Sequence, residues 1–172
     1  MNTASGEPGG IAGLLEALNT LIGRAVSWLT LATVLIYFTV VVLRYGFDLG
    51  WIGLQESALY SHSMVFMLAA AWTLRSGGHV RVDIFYSRWS ERRRACADLF
   101  GSLFLLLPFA LFLFAASFNY VAVSWRLMET SAEPGGLPLV WLLKSLIIVM
   151  AAQLTIQALL EARRALAVLR GR

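Results

Sequence analysis

The chain has 172 residues, of which 59% are hydrophobic and 14% are charged, and its formal net charge is +4. Soluble domains are about 45–50% apolar, so this composition argues against a soluble protein. The single cysteine, Cys96, excludes an internal disulfide and a thiolate metal cluster within the chain.

Four segments are long and apolar enough to cross a bilayer. A helix rises about 1.5 Å per residue and the hydrocarbon core is about 30 Å thick, so about 20 apolar residues span it. These runs carry no polar face at the helical period, unlike the helices of a soluble bundle. The chain is therefore predicted to be an all-α integral membrane protein with one membrane domain, residues 1–172. Its spans are expected at about residues 25–43, 56–75, 97–124 and 138–160.

The segment before the first span is predicted to be a loose tail, residues 1–10, followed by an amphipathic helix, residues 11–23. No basic residue precedes Arg24, so we expect no cleaved signal peptide. Apolar residues recur at helical spacing, and polar ones lie off their stripe. The stripe is Ile11, Leu14, Leu15, Leu18, Leu21 and Ile22, and the residues off it are Glu16, Asn19 and Thr20. This helix either lies along the inner membrane face or extends the first span inward.

Basic residues are distributed unequally between the two sides of the predicted membrane domain. Eleven arginines lie before the first span, between the second and third spans, or after the fourth, whereas the opposite side has only Arg44 and Arg126. By the positive-inside rule, both termini and the middle loop are cytoplasmic, and the two short loops are periplasmic. Topology and anionic lipid headgroups therefore account for the basic charge, and we expect no nucleic-acid partner.

The middle connection is predicted to contain a short interfacial helix, with its aromatic residues at headgroup level and its arginines outward. Gly77 and Gly78 end the second span, and Ser90 is a candidate N-cap for the third. His79, Arg81 and Asp83 are its candidate functional residues.

The third span contains Pro108, which predicts a kink. The loop after it holds Pro134, Gly135 and Gly136, which predict a tight reversal, and Pro138 is expected in the first turn of the fourth span. The candidate functional residues of this periplasmic loop are Trp125, Glu129 and Pro138.

Lys144 is the one lysine of the chain and lies about 10 Å into the fourth span from Leu137. A charge at the helix centre costs about 2.5–3.5 kcal/mol, although a long stem can reach outward and reduce that cost. Ala151 and Thr155 follow on the same face, and small residues there allow another helix to approach. Lys144 thus either pairs or reaches outward within this chain, or contacts a partner. Glu129 is a candidate internal partner.

Arg44 closes the first span and Glu56 opens the second, shortly after Trp51. An ion pair between Arg44 and Glu56 is the simplest prediction for the first periplasmic loop. His62 is expected to be a hydrogen-bonded residue of the helix packing. No catalytic triad, phosphate loop, paired histidine ligands or paired intramembrane carboxylates are present in the sequence, so we expect neither an enzyme nor a bound cofactor or metal.

Several motifs together form a specific pattern. They are WIGLQES from Trp51, GGHVRVD after the second span, SWRLMETSAEPGGLPLVWLLKSL, and the pair Gln153 and Gln157 in the last span. With Arg44, they resemble the small membrane subunit, of DctQ type, of tripartite ATP-independent periplasmic (TRAP) transporters. The resemblance covers roughly Arg24–Glu161.

This resemblance implies a multi-pass protein of the bacterial inner membrane that forms a heterodimer with the large TRAP membrane subunit. A periplasmic binding protein delivers a solute, mostly an organic acid, and the large subunit imports it by an elevator movement driven by an ion gradient. The small subunit packs against the static scaffold. Its implied packing or interface residues are Arg44, Trp51, Glu56, Lys144, Ala151 and Thr155.

Two other functions stay open at this stage. A small four-helix exporter that acts as a dimer would need a carboxylate near the middle of a span, whereas Glu56 lies near an end. A membrane anchor of a redox enzyme would be expected to carry paired histidines within its spans.

Overall fold

In the computed structural model, residues 11–76, 86 and 88–171 are described. Within these residues all regular structure is helical and there is no strand, which confirms the predicted all-α class. The helices are α1 (Ile11–Gly46), α2 (Ile52–Arg75), α3 (Glu91–Phe100), α4 (Leu107–Leu127) and α5 (Val140–Leu169). A π-helical segment, Gly101–Leu106, joins α3 to α4, so that the two form one long helix.

The helices pack as a row rather than as a closed bundle. α1 packs along α2, α2 packs against α5, and α5 packs against both α3 and α4. α1 meets α5 only over a short stretch, and α1 and α4 form the two ends of the row. Large apolar side chains therefore remain exposed on both end helices, among them Trp28, Phe38, Phe112 and Phe118. Such a surface is suited to lipid or to another membrane subunit.

Among the residues that the structure describes, three helices are long and apolar enough to cross a membrane: Gly13–Gly46, Glu91–Leu127 and Val140–Leu169. The remaining predicted span coincides with α2, whose 24 residues would extend about 36 Å. Its first half is more polar than the other spans, because it contains Glu56, His62 and three serines.

α1 continues without a break through the predicted amphipathic segment and the first span. At 36 residues it would extend about 54 Å, which exceeds the hydrocarbon thickness. Residues 11–23 are therefore an extension of the same helix rather than a separate one lying on the membrane.

α1 and α2 approach closely at Gly23. A side-chain carbon at this position would collide with the ring of Trp72 on α2. Ala71 beside that tryptophan is almost completely buried. Small residues thus allow the close helix contact, as is common in membrane proteins.

A π-helical segment lies directly before the turn that contains Pro108. The backbone N–H of Leu107 bonds to the carbonyl of Ser102, five residues earlier, and Pro108 follows at the start of α4. A π-turn is one of the identifiable ways in which a helix accommodates such an irregularity. The π-turn ends one residue before Pro108, and the kink expected at Pro108 stays a prediction.

Candidate functional site

Two clusters of polar contacts join the helices, and they lie towards opposite ends of the helix axes. Following the predicted orientation, we name them by position. The outer cluster consists of Glu56, Glu129, Ser131, Leu137 and Lys144. The inner cluster consists of Glu16, Asn19, Gln157, Glu161 and Arg164.

The outer cluster depends on how α4 ends. Met128 adopts a left-handed conformation, with φ 45° and ψ 53°. The N–H of Glu129 bonds to the carbonyl of Ser124 at 3.0 Å, and that of Met128 bonds to Trp125 at 3.2 Å. This is the Schellman arrangement, in which glycine is the usual left-handed residue. It reverses the chain and places Glu129 beside α5.

The loop then turns back through Glu133–Gly136. The N–H of Gly136 bonds to the carbonyl of Glu133 at 3.0 Å, and Gly135 has a φ of 81°. Pro134 and Gly135 therefore occupy the two central positions of a type II turn, which requires positive φ at the second. The tight reversal predicted from these residues is confirmed.

Glu56 fastens this loop to the start of α2. Its carboxylate accepts a hydrogen bond from the hydroxyl of Ser131 and another from the N–H of Leu137, the latter at 2.6 Å. Gly136 has no room for a side chain, because a Cβ there would collide with Ser131 and Glu56. A Cβ at Gly53 would lie 3.1 Å from the Gly135 carbonyl. The glycines allow the loop to reach the carboxylate.

The predicted Arg44–Glu56 ion pair is wrong. Both residues are described, and no ion pair joins them, since Glu56 is bonded to the second outer loop instead. Arg44 is exposed at the end of α1, and Trp51 is exposed just before α2. The misassignment came from proximity in sequence, whereas the true partners of Glu56 lie 75 and 81 residues away.

Lys144 pairs within the chain. Its Nζ lies 2.5 Å from Oε2 of Glu129, the internal partner that the sequence offered. The ammonium also lies 4.1 Å from the ring centroid of Tyr120, a cation–π geometry. Donation from Lys144 lowers the pKa of the Glu129 carboxyl below its usual value. The loop and α5 are thus joined by an ion pair against an aromatic ring of α4.

Two tryptophans at the outer end form contacts between α4 and α5. The indole N–H of Trp125 donates to the Ser145 hydroxyl at 2.8 Å, and its ring meets the Trp141 ring edge-on at 4.5 Å between centroids. Pro138 lies two residues before α5 rather than in its first turn, and its carbonyl accepts a hydrogen bond from the Trp141 indole at 3.2 Å. The start of α5 is therefore held against the end of α4.

The small-residue face that follows Lys144 is a packing face within the chain. Ala151 and Ala158 are fully buried, and the Thr155 hydroxyl donates to the carbonyl of Ala151 at 2.8 Å. This internal bond removes the cost of placing the threonine hydroxyl in an apolar region.

The inner cluster joins α1 to α5. Asn19 donates to Oε1 of Gln157 at 3.3 Å, and Gln157 donates to Glu161 at 2.9 Å. Arg164 contacts Glu161 at 3.1 Å and Glu16 at 2.7 Å. Glu16, Asn19 and Gln157 are buried. Buried polar groups of this kind are stable only when they bond to one another, so the cluster fixes the two helices in register.

The apolar stripe on α1 faces away from the other helices, whereas the apolar stripe of a helix in a water-soluble protein faces the core. Leu14, Leu18 and Leu21 are exposed, while Glu16 and Asn19 face the protein. In a bilayer, apolar side chains face lipid and polar ones face neighbouring helices, so the polar residues mark the contact. A second signal was available on α5, where Gln157, Glu161 and Arg164 recur at helical spacing.

The three candidates of the cytoplasmic loop, His79, Arg81 and Asp83, lie outside the described residues, as does most of the predicted interfacial helix. The end of that connection is anchored on α3. The Tyr86 hydroxyl donates to Asp98 at 2.7 Å, and the guanidinium of Arg94 lies 5.4 Å from the Tyr86 ring centroid. Arg94 also donates to the Trp89 carbonyl at 3.1 Å.

No group of three or more metal-ligating side chains occurs among residues 11–76, 86 and 88–171. His62 is exposed on α2, so it does not pack between the described helices of this chain, contrary to the prediction. The arrangement that remains is a set of contacts between helices and loops.

Comparison with known proteins identifies the family. Residues 33–168 match the family model described as tripartite ATP-independent periplasmic transporters, DctQ component. The chain belongs to this family. It is therefore a transporter component of the inner membrane and not an enzyme. All of the outer cluster and the α5 half of the inner cluster lie within the matched DctQ region. Neither the curated proteins nor the solved structures gave a match.

Proposed function

We propose that this DctQ component is the scaffolding subunit of a secondary transporter. It supports the large membrane subunit during ion-gradient-driven import of an organic acid or related solute, which a periplasmic binding protein delivers. The observation that carries the proposal is that polar contacts join neighbouring helices towards both ends of the helix axes, while wide apolar surfaces on α1 and α4 remain uncovered. A fixed row with open sides suits a static support for another membrane protein.

In this proposal α2 is the fourth span. It lies between α1 and α5, which are both candidate spans, and only five residues separate it from α1. The carboxylate of Glu56 is bonded at its outer end. The hydroxyls of Ser57 and Ser61 donate to helix carbonyls at 2.7 Å and 2.9 Å, which reduces the cost of placing them in a bilayer. Four spans would place both termini on the same side of the membrane. The distribution of arginines then makes that side the cytoplasm.

The interface residues then divide into two groups. Glu56, Lys144, Ala151 and Thr155 act indirectly, because they engage groups of this chain: the first two give the outer end its shape, and the last two pack in the middle of α5. Arg44 and Trp51 are exposed at the outer end and would contact the large subunit directly.

The two loops would have separate tasks. Trp125 is half-exposed, Leu127 and Met128 are exposed beside it, and this part of the outer loop would touch the binding protein. The loop that contains His79, Arg81 and Asp83 would hold the cytoplasmic end at the bilayer surface.

The experiment is purification of the tagged full chain from its own host in a gentle detergent, with mass spectrometry of the proteins that accompany it. We expect one large polytopic TRAP membrane subunit in a stoichiometric amount. A chain that purifies alone, as a homodimer that binds hydrophobic cations, would contradict the proposal and favour the small-exporter function.

A further inference from the structure

One face of α3 forms an open groove of about 740 Å³ that the helix packing does not use. Its lining residues recur at the spacing of a single helical face. They are Trp89, Ser90, Arg92, Arg93, Cys96, Ala97 and Phe100. The polar lining lies at the first turn and the apolar lining lies further along the helix. Phe104, which stacks on Phe100 at 5.1 Å between centroids, continues the apolar end.

The charged residues around α3 lie in two separate places, with two arginines in the groove and the carboxylates outside it. Arg92 and Arg93 are exposed in the groove, and neither makes an ion pair with any described residue. The carboxylates lie elsewhere. Glu91, Asp98 and Glu161 line a separate cavity of about 240 Å³, together with Arg94 and Arg164. The groove therefore presents uncompensated positive charge, with no carboxylate among its described lining residues.

The groove lies at a membrane boundary. The helix Glu91–Leu127 has 37 residues and would extend about 55 Å, so its ends project beyond a hydrocarbon core of about 30 Å. The first turns of α3 are the basic end of that helix. Trp89 at the mouth of the groove is a residue type enriched at the boundary between headgroups and acyl chains.

We propose that this groove binds one anionic phospholipid. The lipid phosphate bonds to the guanidinium groups of Arg92 and Arg93, which match phosphate oxygens in geometry and charge. An acyl chain lies along Cys96, Ala97 and Phe100. The order of the lining, with cations first and apolar residues next, matches a molecule with an anionic head and an apolar tail. A basic pocket at the cytoplasmic end of membrane helices is a common form of lipid recognition.

Cys96 provides the probe for the test, because it is the only cysteine of the chain and is exposed in the groove. The full chain is purified in a nonionic detergent, and the rate at which a maleimide labels Cys96 is measured. Phosphatidylglycerol, phosphatidylcholine and inorganic phosphate are added in turn. We expect phosphatidylglycerol to slow labelling in a saturable manner, and the other two to have little effect.

The test variant is Arg92→Gln with Arg93→Gln. Its matched control is Arg163→Gln with Arg170→Gln, which removes the same charge from two exposed arginines outside the groove. At about 1 kcal/mol per arginine near a membrane surface, the test variant should require roughly 30-fold more phosphatidylglycerol for the same protection. The control should behave like the unaltered chain.

Equal protection by phosphatidylcholine would overturn the proposal, since coverage by any lipid would then explain the result. Protection by inorganic phosphate alone would indicate an anion site without a lipid. Protection of Cys96 in the complex with the large subunit after complete delipidation would show that a protein covers the groove. Native mass spectrometry of the unaltered chain gives an independent readout: one retained phosphatidylglycerol is expected, and none would refute the site even if the variants fail to fold.

Discussion

The two polar clusters fasten different kinds of structure. The outer cluster holds an irregular loop against two helices, and its contacts include a turn with a positive φ and a glycine that has no room for a side chain. The inner cluster joins two regular helices through side chains alone. A single added atom can therefore disrupt the outer cluster, whereas the inner cluster should lose its contacts one at a time.

The largest effect is expected for Gly136→Ala in the outer cluster. The added methyl group would collide with Ser131 and Glu56, and the overpacking should lower the free energy of unfolding by about 1–3 kcal/mol. Thermal unfolding in detergent and protease cleavage of the outer loop measure the change. Gly46→Ala is the matched control, because nothing lies within 4 Å of a Cβ at that position. Equal behaviour of the two variants would contradict the described loop geometry.

A second prediction concerns the ion pair of the outer cluster. Lys144→Leu removes the partner of Glu129 and should reduce the amount of large subunit that co-purifies with the chain, because the outer loop loses its attachment to α5. Exchange of the charges, Lys144→Glu with Glu129→Lys, should restore part of the complex. If assembly and uptake are unchanged in Lys144→Leu, Lys144 has no role in fixing the outer end.

A third prediction tests the inner cluster. Asn19→Leu and Gln157→Leu each leave the amide of the other residue without this buried bond, and each should cost about 1–3 kcal/mol. If the two amides act mainly on each other, the double variant should cost less than the sum of the single variants. Full additivity in a double-mutant cycle would show that they are not coupled. The outer loop should keep its resistance to protease in all three.

The smallest effect on the stability of the outer loop is expected from acidification. The folded-state pKa of Glu129 is lowered from 4.5, chiefly by donation from Lys144. A lowered folded pKa means that the stabilisation is complete above about pH 4.5 and is lost as the pH falls through the lower folded value. Outer-loop protection in hydrogen exchange should therefore hold from pH 7 to pH 5 and decline as the pH falls further below about 4.5. Lys144→Leu should weaken this dependence, and loss of protection already between pH 7 and pH 5 would contradict the assignment.

The sequence predicted well where a local rule determines the structure. The Pro134–Gly135 pair predicted a tight reversal because few backbone conformations suit it. Lys144 attracted notice because a charge in an apolar span requires a partner, and Glu129 was within reach. The helix α2 was also predicted, whereas its crossing of the membrane stays a prediction, because its serines and His62 give it a more polar first half than the three candidate spans.

Long-range partners were less predictable. Glu56 bonds to residues far along the chain, and only the folded loop brings them together. The inner cluster was missed because Glu16 and Asn19 were noted only as polar residues off the leucine stripe of α1, with no partner assigned to them. In a bilayer the leucines face lipid, so Glu16 and Asn19 mark the packed side. The exposure of His62 depends on which sides of α2 its neighbours cover, and periodicity alone does not specify that.

The measurement that tests the scaffold most directly is the distance between the two ends of the helix row in the assembled transporter. Spin labels replace the exposed residues Leu31 on α1 and Leu111 on α4 in a Cys96→Ser chain that is purified with its large subunit. Distances are recorded without and with sodium and the loaded binding protein. The account predicts one narrow distribution that stays the same in every condition. A shifted distance, or a second population that responds to sodium or the binding protein, would show that the small subunit moves and would contradict the static scaffold.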